Sequence, residues 1–187
     1  MKKFLLALSI FVSANISLSQ VVLYETFEDY KNQKNGINFK EPGKITYVKI
    51  HFIKMDGKKT AMDYDEFWGF TYKNGLYRSA PIKRQESNVA RLIIVGKFCY
   101  YENGEAHLDA IKRNVSGGNY SSGHSKYISH GVNGEICGIL NYGLDSVYER
   151  RLKRTEEQDS SLAPLCDCLL KSGNREVFPC VEKLNKK

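Results

Sequence analysis

Phe70-Thr71-Tyr72-Lys73-Asn74-Gly75 is the stretch that decides the fold class. Aromatic and β-branched residues run into an Asn-Gly pair, the dipeptide that tolerates the positive φ angles of a tight hairpin loop. The same kind of signal recurs in Phe98-Cys99-Tyr100-Tyr101-Glu102-Asn103-Gly104, and again as Asp56-Gly57 and Asn133-Gly134. Turn signals at this spacing, between aromatic or β-branched segments, predict an antiparallel meander. The likeness of the two Phe-initiated hairpins is too short to define a structural repeat.

Working outward, residues 44–55 alternate Ile45, Tyr47, Lys49, His51 and Ile53 against Thr46, Val48, Ile50, Phe52 and Lys54, and are expected to form one strand. Residues 90–101 contain Leu92-Ile93-Ile94-Val95, expected to be the most buried strand. Residues 79–88, with Pro81, read as a loop, as does the Gly- and Ser-rich segment 116–123. Upstream, Thr26 ahead of Phe27-Glu28-Asp29-Tyr30 predicts a capped helix with acidic residues in its first turn, ending near Asn35-Gly36. Beyond Tyr142, Leu144, Val147, Tyr148 and Leu152 share one helical face. Residues 155–161 read as a polar connection, Ser160 or Ser161 as the cap of a helix through Leu170 stopped by Gly173, and Pro179 as a residue in the first turn of a last short helix. The expected fold is therefore α+β: an antiparallel β-meander or small open barrel over residues 44–142, with an N-terminal helix and C-terminal helices over 144–187.

The first residues set the expected compartment. Lys2 and Lys3 precede an apolar run from Phe4 to Ala14, and Ser17-Leu18-Ser19 offers a small-residue cleavage site before Gln20. The run is too short to span a bilayer, so residues 1–19 are expected to be a cleaved signal peptide and 20–187 a single domain. With no cysteine near the cleavage site, a lipoprotein is not expected; the location is periplasmic or secreted, and no transmembrane segment follows. The formal charge of +7 includes the two signal-peptide lysines and is spread along the chain. That balance suits weak attraction to anionic surfaces, not nucleic-acid binding.

Five cysteines, Cys99, Cys137, Cys166, Cys168 and Cys180, enter this oxidising setting. The odd count leaves at least one thiol, and connectivity is open. Cys166 and Cys168 diverge by about 200° on a helix, so they cannot share one partner. The simplest arrangement links one of them to Cys180 and turns the other toward the sheet or Cys137. A thiolate metal site from Cys166, Cys168 and Cys180 lacks a nearby His and the usual two-residue gap, and no metal or other cofactor is expected.

No catalytic motif stands out. His107 and Asp109, two apart, could align on one strand face as base and orienter for a small hydrolase, the alternative reading. Asp63, Asp65, Glu66 and Trp68 form a dense polar and aromatic cluster, whose plainer reading is a strand entry with aromatic core residues. His51, His124 and His130 read as ordinary hydrogen-bonded imidazoles. Arg150-Arg151-Leu152-Lys153-Arg154 could meet an anionic partner but suits a solvated helix face near its C-terminus.

Lys2-Lys3-Phe4-Leu5-Leu6 in a signal ending at Gln20, the opening Tyr24-Glu25-Thr26-Phe27-Glu28-Asp29-Tyr30, and Phe67-Trp68-Gly69-Phe70-x-Tyr72 together resemble small exported proteins of Bacteroidetes-type bacteria. The resemblance covers mainly residues 1–80, implies an envelope or secreted location, and carries no catalytic residues. The expectation is a non-enzymatic binding module for an envelope protein or glycan, with Trp68, Tyr72, Tyr77, Tyr120 and Tyr127 as the aromatic binding surface. A third possibility is a disulfide-stapled structural component of the envelope.

Overall fold

The computed structural model describes residues 20–46, 49–80, 89–112, 126–139, 145–172 and 177–186. In chain order these form β1 (Val21–Tyr24), α1 (Phe27–Asn32), β2 (Ile37–Phe39), β3 (Glu41–Ile45), β4 (Lys49–Ile53), β5 (Lys59–Asp63), β6 (Gly69–Tyr72), β7 (Gly75–Ser79), β8 (Val89–Ile94) and β9 (Phe98–Asn103). Then follow α2 (Gly104–Lys112), β10 (Lys126–His130), β11 (Cys137–Ile139), α3 (Asp145–Gln158), a 3-10 turn (Ser160–Leu162), α4 (Ala163–Ser172) and α5 (Val177–Asn185). Eight strands make one open antiparallel sheet in the order β11-β10-β9-β8-β7-β6-β1-β2. Strands β3, β4 and β5 make a second sheet. The fold is α+β with C-terminal helices, and the run from β6 to β11 is a meander; the large sheet does not close into a barrel.

Local chemistry explains most of the elements and corrects several expectations. Thr26 caps α1 by accepting the Asp29 N–H at 3.1 Å, and Gln33, at φ 51°, ends it earlier than Asn35-Gly36. The β6–β7 hairpin is present, but its two-residue loop is Lys73-Asn74, both at positive φ, and Gly75 pairs with Tyr72 as the first residue of β7. A Cβ on Gly75 would lie 3.0 Å from Tyr77 and 3.3 Å from Arg91 Nε, so a larger residue there would press on both side chains. At Asn103-Gly104 the same dipeptide starts a helix instead. Asn103 Oδ1 accepts the Glu105 N–H at 2.9 Å, capping α2.

The single strand expected over 44–55 is two strands, β3 and β4, joined where Thr46 bonds the Lys49 carbonyl at 2.9 Å. The run Leu92-Ile93-Ile94-Val95 is not the most buried strand: Val95 is 68% exposed beside the β8–β9 turn, whereas β7 is buried throughout. Helix α3 continues through residues 155–158, burying Thr155, and Asp159 caps the following 3-10 turn through the Ser161 N–H at 3.0 Å. The Ser116–Gly123 loop, Tyr142, Leu144 and Gly173 lie outside the described residues, as do residues 1–19.

Cross-strand partners share a face of a sheet, so the register separates the two sides. One face presents Leu23, Phe70, Tyr77, Arg91, Glu102 and Lys126 in a row across the strands, with Tyr100, Ile128 and Cys137 in another. Its β1–β7 half is covered by the second sheet, where Phe52 stacks on Phe39 at 4.9 Å and meets Phe70 edge-on at 5.3 Å. Its β9–β11 half is covered by α3, α4 and α5 through Tyr148, Leu152, Leu165, Cys166, Leu169, Val177 and Val181. The helical cap is fixed at two points. Cys168 and Cys180 form a disulfide between α4 and α5, with Cα atoms 5.9 Å apart, and Asn185 bonds both the N–H and the carbonyl of Phe98 at 2.9 and 2.8 Å. Cys166 faces this core, where Cys137 also lies. The opposite face carries Arg78, Ala90, Leu92, Cys99, Tyr101, Tyr127 and Ser129, over which the segment with Val132 and Ile136 folds back.

Candidate binding site

The aromatic site grows from the backbone around Trp68. Its N–H donates to the carbonyls of Tyr24 and Glu25 at 3.0 and 3.1 Å, and its own carbonyl accepts the Ser79 N–H at 3.0 Å. These bonds hold the residue between the ends of β1 and β7. The indole, half-buried, stacks on Tyr30 at 4.8 Å and meets Phe27 at 5.3 Å, so the capped helix α1 serves as its platform. Its Nε1–H donates to Asn133 Oδ1 at 3.1 Å. The guanidinium carbon of Arg78 lies over the ring, 4.5 Å from its centre, a cation–π arrangement.

Arg78 reaches that position because Gly69 stands opposite it across β6 and β7. A Cβ on Gly69 would come within 2.6 Å of the Tyr77 carbonyl, so only glycine admits this approach of the two strands. Arg78 Nη1 donates to the Val132 carbonyl, while its Nε is buried without an acceptor. Next to it Tyr101 donates to Ser129 Oγ at 3.0 Å, and Ser129 in turn donates to the Gly131 carbonyl at 2.6 Å. Burial pulls the Arg78 guanidinium below its ordinary value and pushes the Tyr101 phenol up to about 12, with the Cys99 thiol also raised.

The other aromatic candidates do not join this surface. Tyr77 is fully buried and stacked on Phe70 at 5.0 Å, Tyr72 is 6% exposed, and Tyr127 is 2% exposed beneath the fold-back segment. Their large rings fill the two sides of the sheet, which corrects the expectation of an exposed patch. Tyr120 lies outside the described residues, as does His124.

His107 and Asp109 sit on α2, not on a strand, and two residues along a helix point about 200° apart. Asp109 is therefore exposed on another side, and His107 is oriented by different partners. Its Nε2 meets Glu102 Oε2 at 2.8 Å and its Nδ1 meets Arg91 Nη1 at 2.7 Å. An arginine can only donate, so Nδ1 accepts and Nε2–H donates, which commits both ring nitrogens of the neutral imidazole. The hydrogen bond from His107 holds the Glu102 carboxyl below its ordinary value, helped by the Tyr100 hydroxyl at 3.1 Å. A general base needs a ring nitrogen facing a substrate, and this geometry occupies both.

The remaining candidates have structural work. Glu66 accepts the Asp63 N–H at 2.8 Å, closing the turn after β5, and Lys49 pairs with Asp63 at 3.7 Å. The His130 ring packs on Phe98 at 5.7 Å, and His51 lies within β4 opposite Ala61. Arg150, Lys153 and Arg154 line the exposed side of α3. Cys168 and Cys180, being bonded to each other, are not thiolate ligands. Burial pushes the Cys137 and Cys166 thiols up to about 12, so both stay protonated at neutral pH.

No family model, curated protein or solved structure gives a significant match. Sequence reasoning found Trp68 but missed Arg78, Asn133, Phe27 and Tyr30 around it. It also missed Glu102 and Arg91 as the partners of His107. Asn103 followed by Glu105 was the available sign of α2, being a helix-cap pattern inside a hairpin signature.

Proposed function

We propose that this chain is an exported, non-enzymatic binding module of the bacterial envelope, and that it contacts its partner through the surface around Trp68. The observation that carries the reading is the half-buried indole held on three sides at once, by Tyr30 and Phe27, by Arg78 and by Asn133. An aromatic fixed by packing, with one polar edge near solvent, contributes contact area at little entropic cost, which is the profile of a binding anchor. The location follows from the expected signal peptide. The disulfide is consistent with an oxidising compartment, and no helix among the described residues is long and apolar enough to cross a membrane. The hydrolase alternative is weakened by the engagement of both His107 nitrogens.

The test is a comparative capture from envelope extracts with immobilised wild type and Trp68→Ala. A component, protein or glycan, retained by wild type and lost from a folded Trp68→Ala supports the reading. Identical retention by both would remove Trp68 from the interface.

A further inference from the structure

We propose that Arg78, grouped with Tyr101, Ser129, Trp68 and Asn133, is a binding site for a single carboxylate group of a small ligand. This rests on the reading of the Trp68 surface as a binding face and names the chemistry that face takes. Arg78 is only 7% exposed, yet its charge meets no carboxylate among the described residues. Its partners are a carbonyl, an aromatic ring and the neighbouring phenol, and its Nε–H has no acceptor. Arginine cannot shed its proton at neutral pH, and a buried ion without a counter-charge is costly, where an aliphatic side chain would pack without that cost.

The two acidic groups beside it do not supply the missing charge. Burial raises the Tyr101 phenol and the Cys99 thiol, so both are neutral at pH 7. Arg91, on the next strand but the opposite face, shows the contrast. Its Nε is also without an acceptor, but Glu102 stands directly opposite it in the register and is linked to it through His107. Arg91 has its counter-charge within the fold, whereas Arg78 has none among the described residues. A carboxylate matches the planar guanidinium and places an oxygen on the unpaired Nε–H. Trp68, which lies against the group, is half-buried, and Asn133, which accepts the indole N–H, is exposed. One arginine, with no second cation paired to it among the described residues, suits a monoanion better than a phosphate.

The chain's single tryptophan is a reporter already in place. Trp68 fluorescence is followed while sodium acetate is added against sodium chloride at matched ionic strength, with the Arg78 Nε–H proton resonance followed in the same titration. The expected result is saturation by acetate on the order of 1 mM, a downfield shift of that resonance, and affinity weakened about tenfold or more in Arg78→Met. Equal responses to acetate and chloride, or an unmoved Arg78 resonance in wild type, would overturn the proposal even if the variant does not fold. Tighter binding of inorganic phosphate than of acetate would overturn the carboxylate assignment. The two readings fail separately: acetate binding with Trp68-independent capture defeats only the envelope interface, and Trp68-dependent capture without acetate binding defeats only the carboxylate site.

Discussion

The two faces of the eight-stranded sheet treat a buried arginine in opposite ways. On the face roofed by the second sheet and the helices, Arg91, His107, Glu102 and the Tyr100 hydroxyl form a chain of contacts between 2.7 and 3.1 Å, with positive and negative charge both present. On the other face Arg78 rests under Trp68 with a carbonyl and hydroxyl groups for company. A buried polar network is stable when every charge finds its opposite, and an unfinished one costs stability. The face with Arg91 is therefore read as structure and Arg78 as the proposed site.

The comparison breaks first if the roofed face is not what holds the fold. Phe52→Ala removes a fully buried ring that links the second sheet to the large one, and is expected to cost about 3–5 kcal/mol, measured as a lower midpoint in urea unfolding. Replacing both Cys168 and Cys180 by Ser, which frees α4 from α5 across 12 residues of chain, is expected to cost about 3 kcal/mol in the same measurement. Native Trp68 fluorescence should be retained below the transition in both variants, since neither change touches that face.

A third test sharpens the contrast through pH. The folded Glu102 carboxyl titrates below its ordinary value of 4.5, so the unfolded chain takes up this proton at higher pH than the native one. Its contribution is complete above the unfolded value and is lost as pH falls through the lowered folded one. Wild type should lose about 1 kcal/mol relative to Glu102→Gln on acidification below pH 4.5. A constant difference between them across that range would show the network does not depend on the carboxylate charge. The smallest effect is the most diagnostic. Arg78→Met should leave stability unchanged or raise it by about 1 kcal/mol, because it removes an uncompensated buried charge, while Arg91→Met should lower it. Equal losses from the two would end the distinction between the faces.

What could be read in advance was what depends on neighbours in the chain. The Thr26 cap, the hairpin turn after Tyr72, the turn at Gly57 and the amphipathic face of α3 with Tyr148 and Leu152 all arise within a few residues. The errors came where a local signal has two physical outcomes. Asn-Gly lies at the end of a hairpin loop after Tyr72, where Gly75 already pairs, but starts a helix after Glu102, because there the Asn side chain takes the amide of Glu105. Leu92-Ile93-Ile94-Val95 is apolar enough for a core strand, yet it runs out into a turn. Hydrophobicity sets the drive to be buried and cannot by itself say which neighbour does the burying.

By itself, then, the sequence determined the α+β class, the antiparallel hairpins and the helical C-terminal end, and left the pairing of the five cysteines open. Each of the three follows from backbone preference or from side-chain period. The tertiary structure decided that Cys168 takes the bond while Cys166 faces the core, that Tyr72, Tyr77 and Tyr127 are packing groups, and that His107 is held by Glu102 and Arg91. It also brought Trp68 to Asn133, 65 residues away in the chain, and set Arg78 beneath the ring. Those contacts depend on which strands become neighbours, an outcome of burying both faces of the sheet together, and no local propensity encodes it.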